Sequence, residues 1–209
     1  MKKIVLSIVA AVVTPMILQA GGIGVYIPYS IGHTSTTTFH PADVGSATGA
    51  QEYSYDTTFK NKPGLGIALA TNLGKDTIFG YKFGLEYTNP EGENWNDSDS
   101  KISVINTFEF AVLNTEMVKL WLGPRINIGY EWYDNNGYTQ SGMEIGIAPA
   151  IGVNVNVTDF LAITFDIDYK FAAQAGTSND AAYESYTSNP TGMTARLGVM
   201  YRFGEDDEY

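Results

Sequence analysis

Cysteine is absent from the 209-residue chain. This absence excludes disulfides, thiolate metal sites and a lipid anchor on an N-terminal cysteine. Basic residues are scarce as well, since 12 Lys and Arg stand against 23 Asp and Glu and leave a formal charge of −11. A chain this acidic is not expected to bind nucleic acid, whose phosphates attract cationic surfaces.

Long apolar runs are also few, and the clearest lies at the N-terminus, from Ile4 to Val13 behind Lys2 and Lys3. This basic start, the short apolar core and Ala20 at a small-residue cleavage position predict a secretory signal peptide over residues 1–20. An uncleaved anchor helix is the alternative, but it would need about 20 apolar residues. Because no other stretch is long enough for a membrane helix, any membrane crossing must use strands.

Apolar residues alternate with polar or small ones along most of the remaining chain. The last strand is the clearest example, because every second residue from Met193 to Phe203 is apolar. A period of two predicts strands whose two faces meet different surroundings. Eight strands are predicted, at about residues 22–31, 59–71, 77–88, 101–113, 118–133, 142–157, 160–172 and 193–203.

The connections between these strands alternate long and short, with long polar stretches at 33–58 and 173–190 among them. This rhythm and the even strand count predict an all-β fold, an eight-stranded antiparallel up-and-down transmembrane β-barrel over residues 21–203. The long loops are expected on the external side and both termini on the periplasmic side. Residues 204–209 are expected to form an acidic C-terminal tail.

The face opposite the apolar residues decides between a membrane barrel and a soluble β-protein, which is the alternative. That face is rich in Gly and Ala, which suit a narrow barrel interior better than a solvated sheet surface. It also carries charges of both signs, so we expect a lumen plugged by ion pairs, because an unpaired buried charge is costly. The expected lumen network comprises Lys82, Glu86, Glu109, Arg125, Glu131, Glu144, Asp166, Asp168, Lys170, Arg196 and Arg202.

Aromatic residues cluster near both ends of the predicted strands. Two aromatic belts, one at each membrane–water interface, are typical of transmembrane barrels. The expected membrane-interface aromatics are Tyr87, Tyr130, Trp132, Tyr169, Phe171, Tyr201 and Phe203.

The signal peptide, the eight alternating strands and the ending Val199–Phe203 resemble the small outer-membrane barrels of the OmpA-transmembrane-domain, OmpX and OmpW type. The resemblance implies a place in the outer membrane of a Gram-negative cell envelope, in contact with its lipid and lipopolysaccharide. It also implies assembly by the barrel-assembly machinery, for which Phe203 would be the terminal aromatic signal. The chain departs from that pattern by continuing to Tyr209.

One short match points to an enzyme instead. The segment Val25–Pro28 followed by His33 is similar to the first strand and catalytic histidine of PagP lipid A palmitoyltransferases. That resemblance makes His33 a candidate catalytic residue, with a solvated loop histidine as the alternative. The Asp-Ser pair of that family would be supplied by Asp97–Ser98 or Asp99–Ser100, at the far end of the second external loop.

Prolines in adjacent strands, Pro28 with Pro63 and Pro124 with Pro149, remove ladder hydrogen bonds. The resemblance to PagP or OmpW implies that such gaps let lipid or an apolar solute pass sideways through the wall; local bulges near the strand ends are the alternative. No cofactor or metal is expected, because the acidic outer loops lack the spacing of a calcium loop. The sequence therefore predicts an outer-membrane barrel with a plugged polar lumen and a structural or surface-interaction role. A lateral transport path for small apolar solutes and PagP-like acyl transfer are the alternatives.

Overall fold

The computed structural model describes residues 21–41, 51–71, 78–93, 99–135, 138–179 and 183–203. The predicted signal peptide and the acidic tail lie outside the described residues. Within these ranges the chain forms ten strands: β1 (Gly22–Pro41), β2 (Tyr53–Thr58), β3 (Leu65–Thr71), β4 (Phe79–Thr88), β5 (Ser100–Asn114), β6 (Val118–Asn135), β7 (Tyr138–Thr158), β8 (Leu161–Ser178), β9 (Tyr183–Ser188) and β10 (Thr191–Arg202). No helix in the described ranges is long and apolar enough to cross a membrane.

Eight of the ten described strands close into an antiparallel barrel. β1, β3, β4, β5, β6, β7 and β8 pair in that order, and β10 closes the ring by pairing with both β8 and β1. The other two strands lengthen the wall at one end, where β2 pairs with β1 and β9 pairs with β1 and β8. The predicted eight-stranded, up-and-down transmembrane barrel is therefore confirmed.

The wall is taller than predicted on one side, which we call the extended end. The register of β1 with β3, as in Tyr26↔Gly66, continues without a shift into β2, as in Thr34↔Thr58. β2 and β3 thus follow one another along the same edge of β1, with an interruption around Pro63. Proline has no N–H to donate to the strand ladder. The predictions of loops over the whole of 33–58 and 173–190 were wrong, because strands occupy much of both stretches.

A bulge separates the two halves of β1. The register with β10 shifts between Ile31 and Thr34, and Gly32 has a φ of 60°. Glycine adopts this left-handed conformation without the steric cost that a Cβ brings. The bulge therefore lies where β1 passes from the barrel into the extended end.

The exterior of the barrel is apolar on all eight of its strands. Leu65, Val25 and Leu197 have exposed fractions of 61%, 57% and 57%, and their alternating neighbours on the outside are similarly exposed. Each such side chain would cost roughly 1.5–3 kcal/mol to leave in water, so lipid is the solvent that this surface fits. The interior is tight: a Cβ added at Gly66 would lie 2.3 Å from the Tyr26 ring.

Strand β5 departs from the alternation of apolar outward and polar inward residues, and a bulge restores an apolar outward residue. Asn106 lies on the outer side, where its Oδ1 accepts a hydrogen bond of 2.5 Å from the Tyr81 hydroxyl. Ile105 points inward and is buried. A register shift between Ala111 and Leu113 then returns Leu113 to the exterior. One bulge therefore repairs the apolar face near the end of the strand.

Pro124 and Pro149 lie directly opposite each other on β6 and β7, and both face outward. Pairing between these two strands runs through them without a break. The registers toward β5 and β8 instead skip two positions beside each proline and resume without a shift. The missing N–H groups of the prolines therefore interrupt the pairing of β6 with β5 and of β7 with β8, and the barrel keeps its register.

Of the aromatic residues predicted at the interface, Tyr169 and Phe171 lie in the middle of β8, opposite the start of β10, and the others lie toward the ends of their strands. Tyr130 and Trp132 stack with ring centroids 5.8 Å apart, and Tyr169 and Phe171 lie 4.9 Å apart. At the other end, which we call the turn end, Phe203 packs on Tyr201 at 5.9 Å. The remaining residue of the set, Tyr87, is exposed on β4.

Candidate functional site

The lumen holds two groups of ion pairs, because alternate residues of every strand point inward and many of them are charged. We call the group nearer the turn end the lower cluster; it comprises Lys82, Glu86, Glu109, Arg125, Asp166, Asp168 and Arg196. We call the group nearer the extended end the upper cluster; it comprises Lys101, Glu131, Glu144 and Lys170. The side chains of both groups are 0–17% exposed.

Arg125 is the centre of the lower cluster. Its Nη1 donates to Asp166 Oδ1 at 2.9 Å and to Asp168, and its Nε donates to Thr107 Oγ1 at 2.8 Å. β6 supplies the arginine and β8 supplies both aspartates. Because β7 lies between these two strands in the wall, the bonds pass through the lumen and do not join neighbouring strands. Charge-assisted bonds of this kind are stronger than neutral ones.

Arg196 adds a second arginine from β10. It donates to Glu86 on β4 and to Asp168, and its Nη1 lies 3.6 Å from Asp166 Oδ1. Asp168 is therefore shared between Arg125 and Arg196. β4, β6, β8 and β10 are therefore tied together at this level by charged groups that are bound to one another.

Lys82 fills the side of the lower cluster nearer the turn end. Its ammonium group lies 3.0 Å from Glu109 Oε1 and 3.8 Å from Asp166 Oδ2. It also lies 5.3 Å from the ring centroid of Trp121, within the range of a cation–π contact. The Trp121 side chain is fully buried, so it adds bulk to the lumen where the ion pairs end.

The upper cluster is built around Glu144. Its carboxylate accepts hydrogen bonds from Lys101 and from Lys170, the latter at 2.9 Å, and Asn127 Nδ2 donates to it at 3.0 Å. Lys101 also lies 3.7 Å from Glu131. Two ammonium groups and two carboxylates therefore balance within this cluster.

Sequence reasoning placed ten of these residues in the lumen and missed Lys101. The sequence did indicate an inward position for Lys101, because it alternates with the outward Ile102. The residue was left out of the network because it stood at the predicted start of its strand. Arg202, the other member of the predicted network, lies at the turn end opposite Gly22 and is half-buried. The described residues contain no group of three or more His, Asp or Glu arranged to hold a metal.

A cavity of about 90 Å³ is lined by residues of both clusters. Lys101, Glu131 and Lys170 line it, together with Pro63 and Pro90 in the wall. A second cavity of about 60 Å³ lies further toward the extended end, among residues of β1, β2, β6, β7, β8 and β9. A smaller cavity of about 20 Å³ lies beside the lower cluster, next to Tyr26 and Lys82.

His33 lies within the bulge of β1, beside β10. Its Nε2 donates to the Met193 carbonyl oxygen at 2.8 Å and lies 3.3 Å from the Thr194 hydroxyl. Asp97 and Ser98, one of the predicted Asp-Ser pairs, lie outside the described residues; of the other pair, Asp99 precedes β5 and Ser100 begins it. The bond to Met193 ties the two strands together where the register shifts.

Two further ionic contacts lie outside the two clusters. Glu91, in the connection between β4 and β5, binds both Lys60 and Lys62, in the link between β2 and β3. These hydrogen bonds lower the pKa of the Glu91 carboxyl below its ordinary value. The backbone supports them, since Lys60 N donates to Glu91 O at 2.8 Å. We call these contacts the Glu91 ion pairs.

No family model matches the chain, and no curated protein matches it. Among solved structures, it is similar to Neisserial surface protein A (NspA), with 14% identity, 86% of this chain and 97% of that chain covered, and a TM-score of 0.42. It is similar to Ail, the attachment invasion locus protein of Yersinia pestis, with 17% identity, coverage of 88% and 99%, and a TM-score of 0.42. It is also similar to the outer membrane protein AlkL, with 12% identity, coverage of 91% and 94%, and a TM-score of 0.48.

The chain's own structure shows what the arrangement can do. An apolar exterior facing lipid and a polar interior make it a β-barrel of the outer-membrane type. The lower cluster supplies charged groups that are bound to one another across the barrel. A barrel of this kind can anchor the extended end in a membrane, with bound charged groups inside the wall.

Proposed function

We propose that the protein is an outer-membrane barrel with a closed lumen, whose role is structural or interactive and is carried by the extended end. The lower cluster is the observation that carries this proposal. Arg125 and Arg196 bind three carboxylates from strands on different sides of the lumen, and the five side chains are 2–8% exposed. Separating one buried pair would leave an uncompensated charge at a cost of roughly 3–5 kcal/mol.

The position of the two ends supports an orientation with the extended end outward. The turn end holds both Gly21 and Phe203, whose backbones share a hydrogen bond of 2.9 Å, and the tight turn at 159–160. Outer-membrane barrels have short periplasmic turns and longer external segments. We therefore assign the termini to the periplasm, with lipid and lipopolysaccharide around the wall and the barrel-assembly machinery as the partner during insertion.

The closed lumen is tested by single-channel recording of the refolded protein in planar bilayers. The expected result is a silent bilayer in which insertion is demonstrated independently by protease protection. The matched variant is Arg196→Ala, which removes the bonds to Glu86 and Asp168 and leaves the wall unchanged. We expect brief openings from the variant alone. Stepwise currents from the wild-type protein would contradict a closed lumen.

The orientation is tested by labelling single cysteines in whole cells, and the absence of native cysteine gives a clean background. Thr187→Cys places a thiol on the exposed side of β9, and Met117→Cys places one in the turn between β5 and β6. A membrane-impermeant maleimide should label the first and spare the second until the cells are opened. The reverse pattern would place the extended end inside.

A lateral path for small apolar solutes is the second candidate function, and one observation favours it. Pairing of β3 with β4 ends at Leu65↔Tyr87 and resumes, slipped by one residue, at Phe59↔Gly92. Pro63 and Pro90 lie in this interruption and line the 90 Å³ cavity behind it. Uptake of an alkane by cells that carry the wild-type barrel, above the uptake of cells without it, would favour this path over a closed structural barrel.

Acyl transfer by His33 is the third candidate. The hydrogen bond of His33 to the Met193 carbonyl gives the ring a structural role, and His33 also lines the 90 Å³ cavity. The test is the acylation state of lipid A in cells that carry His33→Ala. Unchanged acylation would remove this candidate and leave the histidine as a tie between β1 and β10.

A further inference from the structure

The apolar exterior of the barrel carries an amide side chain on β5. Asn106 points outward, and its neighbours on the same face are Val104 and Phe108 along the strand, Phe83 on β4 and Ile126 on β6. All four neighbours are apolar. Lipid chains offer no hydrogen-bonding group, so an amide among them is costly unless a protein group satisfies it.

Asn106 lies midway between two aromatic levels of the wall. Four residues toward the extended end, Ile102 pairs with interface aromatics of β4 and β6. Four residues toward the turn end, Phe110 pairs with Phe79. Since a strand rises about 3.4 Å per residue and is tilted in a barrel, each of these steps covers about 10 Å of depth. Asn106 therefore lies near the centre of an apolar band about 25 Å tall, away from water and lipid headgroups.

The barrel itself satisfies only part of this amide. The Tyr81 hydroxyl donates to Asn106 Oδ1 at 2.5 Å. The described residues give Asn106 Nδ2 no acceptor, and the side chain is only half-buried, so the amide is reached from outside the wall. An amide oxygen has two lone pairs, and Oδ1 can therefore accept a second hydrogen bond. The outer surface thus offers a donor and an acceptor side by side.

Aromatic rings surround the amide. Tyr81 and Phe108 pack with ring centroids 5.4 Å apart, and Phe83 lies directly opposite Asn106 on the neighbouring strand. Aromatic side chains present a large contact area and are enriched at protein interfaces. We call Tyr81, Phe83, Asn106 and Phe108 the β5 patch. It combines an apolar rim with a polar centre that protein can satisfy and lipid cannot.

We propose that the barrel forms a two-fold symmetric dimer through the β5 patch, in which Asn106 Nδ2 of each copy donates to Asn106 Oδ1 of the other. Copies inserted in the same direction hold this amide at the same depth. A two-fold axis along the membrane normal therefore brings the two amides together and forms both bonds at once. An unrelated partner would need its own donor and acceptor at that depth, whereas a second copy supplies them by symmetry. The dimer is independent of whether the lumen is closed.

The test counts the copies in each complex by single-molecule photobleaching. Met117→Cys places one thiol in the turn between β5 and β6, and no native cysteine competes for the dye. The labelled, refolded barrel is reconstituted in dimyristoylphosphatidylcholine bilayers over a range of surface densities. Two bleaching steps per spot are expected at the higher densities and one step at the lowest, as for a reversible dimer.

Two further changes in this labelled protein locate the contact. Asn106→Val removes the amide and leaves a side chain that suits both lipid and a strand. The apparent dissociation constant of the dimer should rise about tenfold or more, because both bonds between the copies are lost. The matched control is Leu197→Val on β10, which lies four strands away around the eight-stranded ring and so on the opposite side of the barrel. It should leave the dissociation constant unchanged.

Every other outcome would overturn the proposal. Single bleaching steps from the folded wild-type protein at all densities would show a monomer that keeps its amide in lipid. Equal dissociation constants for the wild type and Asn106→Val, or weaker association in Leu197→Val, would place the contact elsewhere on the barrel. Three or more steps per spot would show a larger assembly in place of a two-fold pair.

Discussion

The barrel and its extended end share strands such as β1, β7 and β8 but meet opposite surroundings. In the barrel, the outside is apolar and the inside is ionic. Beyond the bulge at Gly32 the outside becomes polar, with Thr36 bonded to Asp56 at 2.6 Å and Thr38 bonded to Ser54 at 2.8 Å. The inside there holds Phe39, which is 8% exposed and packs on Tyr55 and Tyr186.

This difference shows that the outer surface of one wall can face lipid over part of its length and water over the rest. In the barrel the strands are held by lipid outside and charge pairing inside. In the extended end they are held as a soluble sheet is, by an aromatic interior and a hydrogen-bonded exterior. Breaking an ion pair should therefore lower the free energy of unfolding far more in the barrel than in the extended end.

The largest expected effect comes from Arg125→Met. The change leaves Asp166 and Asp168 with fewer cationic partners in a buried site and should lower the free energy of unfolding by about 3–5 kcal/mol. The matched change at the outer level, Lys62→Met, removes a half-exposed lysine and should cost about 0–1 kcal/mol. Urea unfolding in lipid vesicles measures both.

A second change at Asp168 sharpens this result. Arg125→Met combined with Asp168→Asn removes one charge of each sign, so part of the lost stability should return. Equal costs for Arg125→Met and Lys62→Met would show that the two regions do not differ in the way proposed.

The next largest effect tests the two outer surfaces. Leu197→Arg places a cation on the lipid face, between Ile27 and Phe165 on the neighbouring strands, and should cost about 2–4 kcal/mol. Thr187→Arg places the same side chain on the exposed face of β9, where a surface change is usually worth less than about 0.5 kcal/mol. Unfolding in vesicles again supplies the measurement, and similar costs at both sites would mean that β9 also lies in lipid.

The same contrast explains what the sequence could predict. Alternation was visible wherever one face is apolar, so the eight barrel strands and their inward charges could be recognised. At residues 34–41, 53–58 and 183–188 both faces are largely polar, and the pattern of strand and the pattern of loop look alike. Propensity and turn residues alone did not separate them.

The detailed ion pairing was beyond the sequence for a different reason. Membership of the inner face follows from the period of two, but partners depend on strand tilt, which sets which levels meet across the lumen. Asp168 therefore binds Arg125 and Arg196, neither of which is near it in the chain. The cavities depend on the same geometry.

A smaller effect is expected from the packing difference between the two regions. Gly66→Ala adds a methyl group against the Tyr26 ring and should cost about 1–3 kcal/mol by overpacking. Ser30→Thr adds a methyl group beside the 90 Å³ cavity, where there is space, and should change stability by less than about 0.5 kcal/mol. A tolerated Gly66→Ala, seen as an unchanged urea midpoint, would mean that the Tyr26 ring moves freely.

The smallest effect concerns the Glu91 ion pairs and pH. Because the lysines lower the pKa of Glu91, the stabilisation is complete above the ordinary carboxyl pKa and is lost as pH falls through the lowered value. The amide of Lys60, bonded to Glu91 O, should therefore exchange faster in acid than the amide of Ala68 in β3, once each rate is corrected for intrinsic pH dependence. Glu91→Gln should remove this pH dependence, because no carboxylate remains to be protonated. If the ratio of the Lys60 and Ala68 exchange rates in the wild-type protein stays constant in acid, the backbone hydrogen bond holds the segment without the ion pairs.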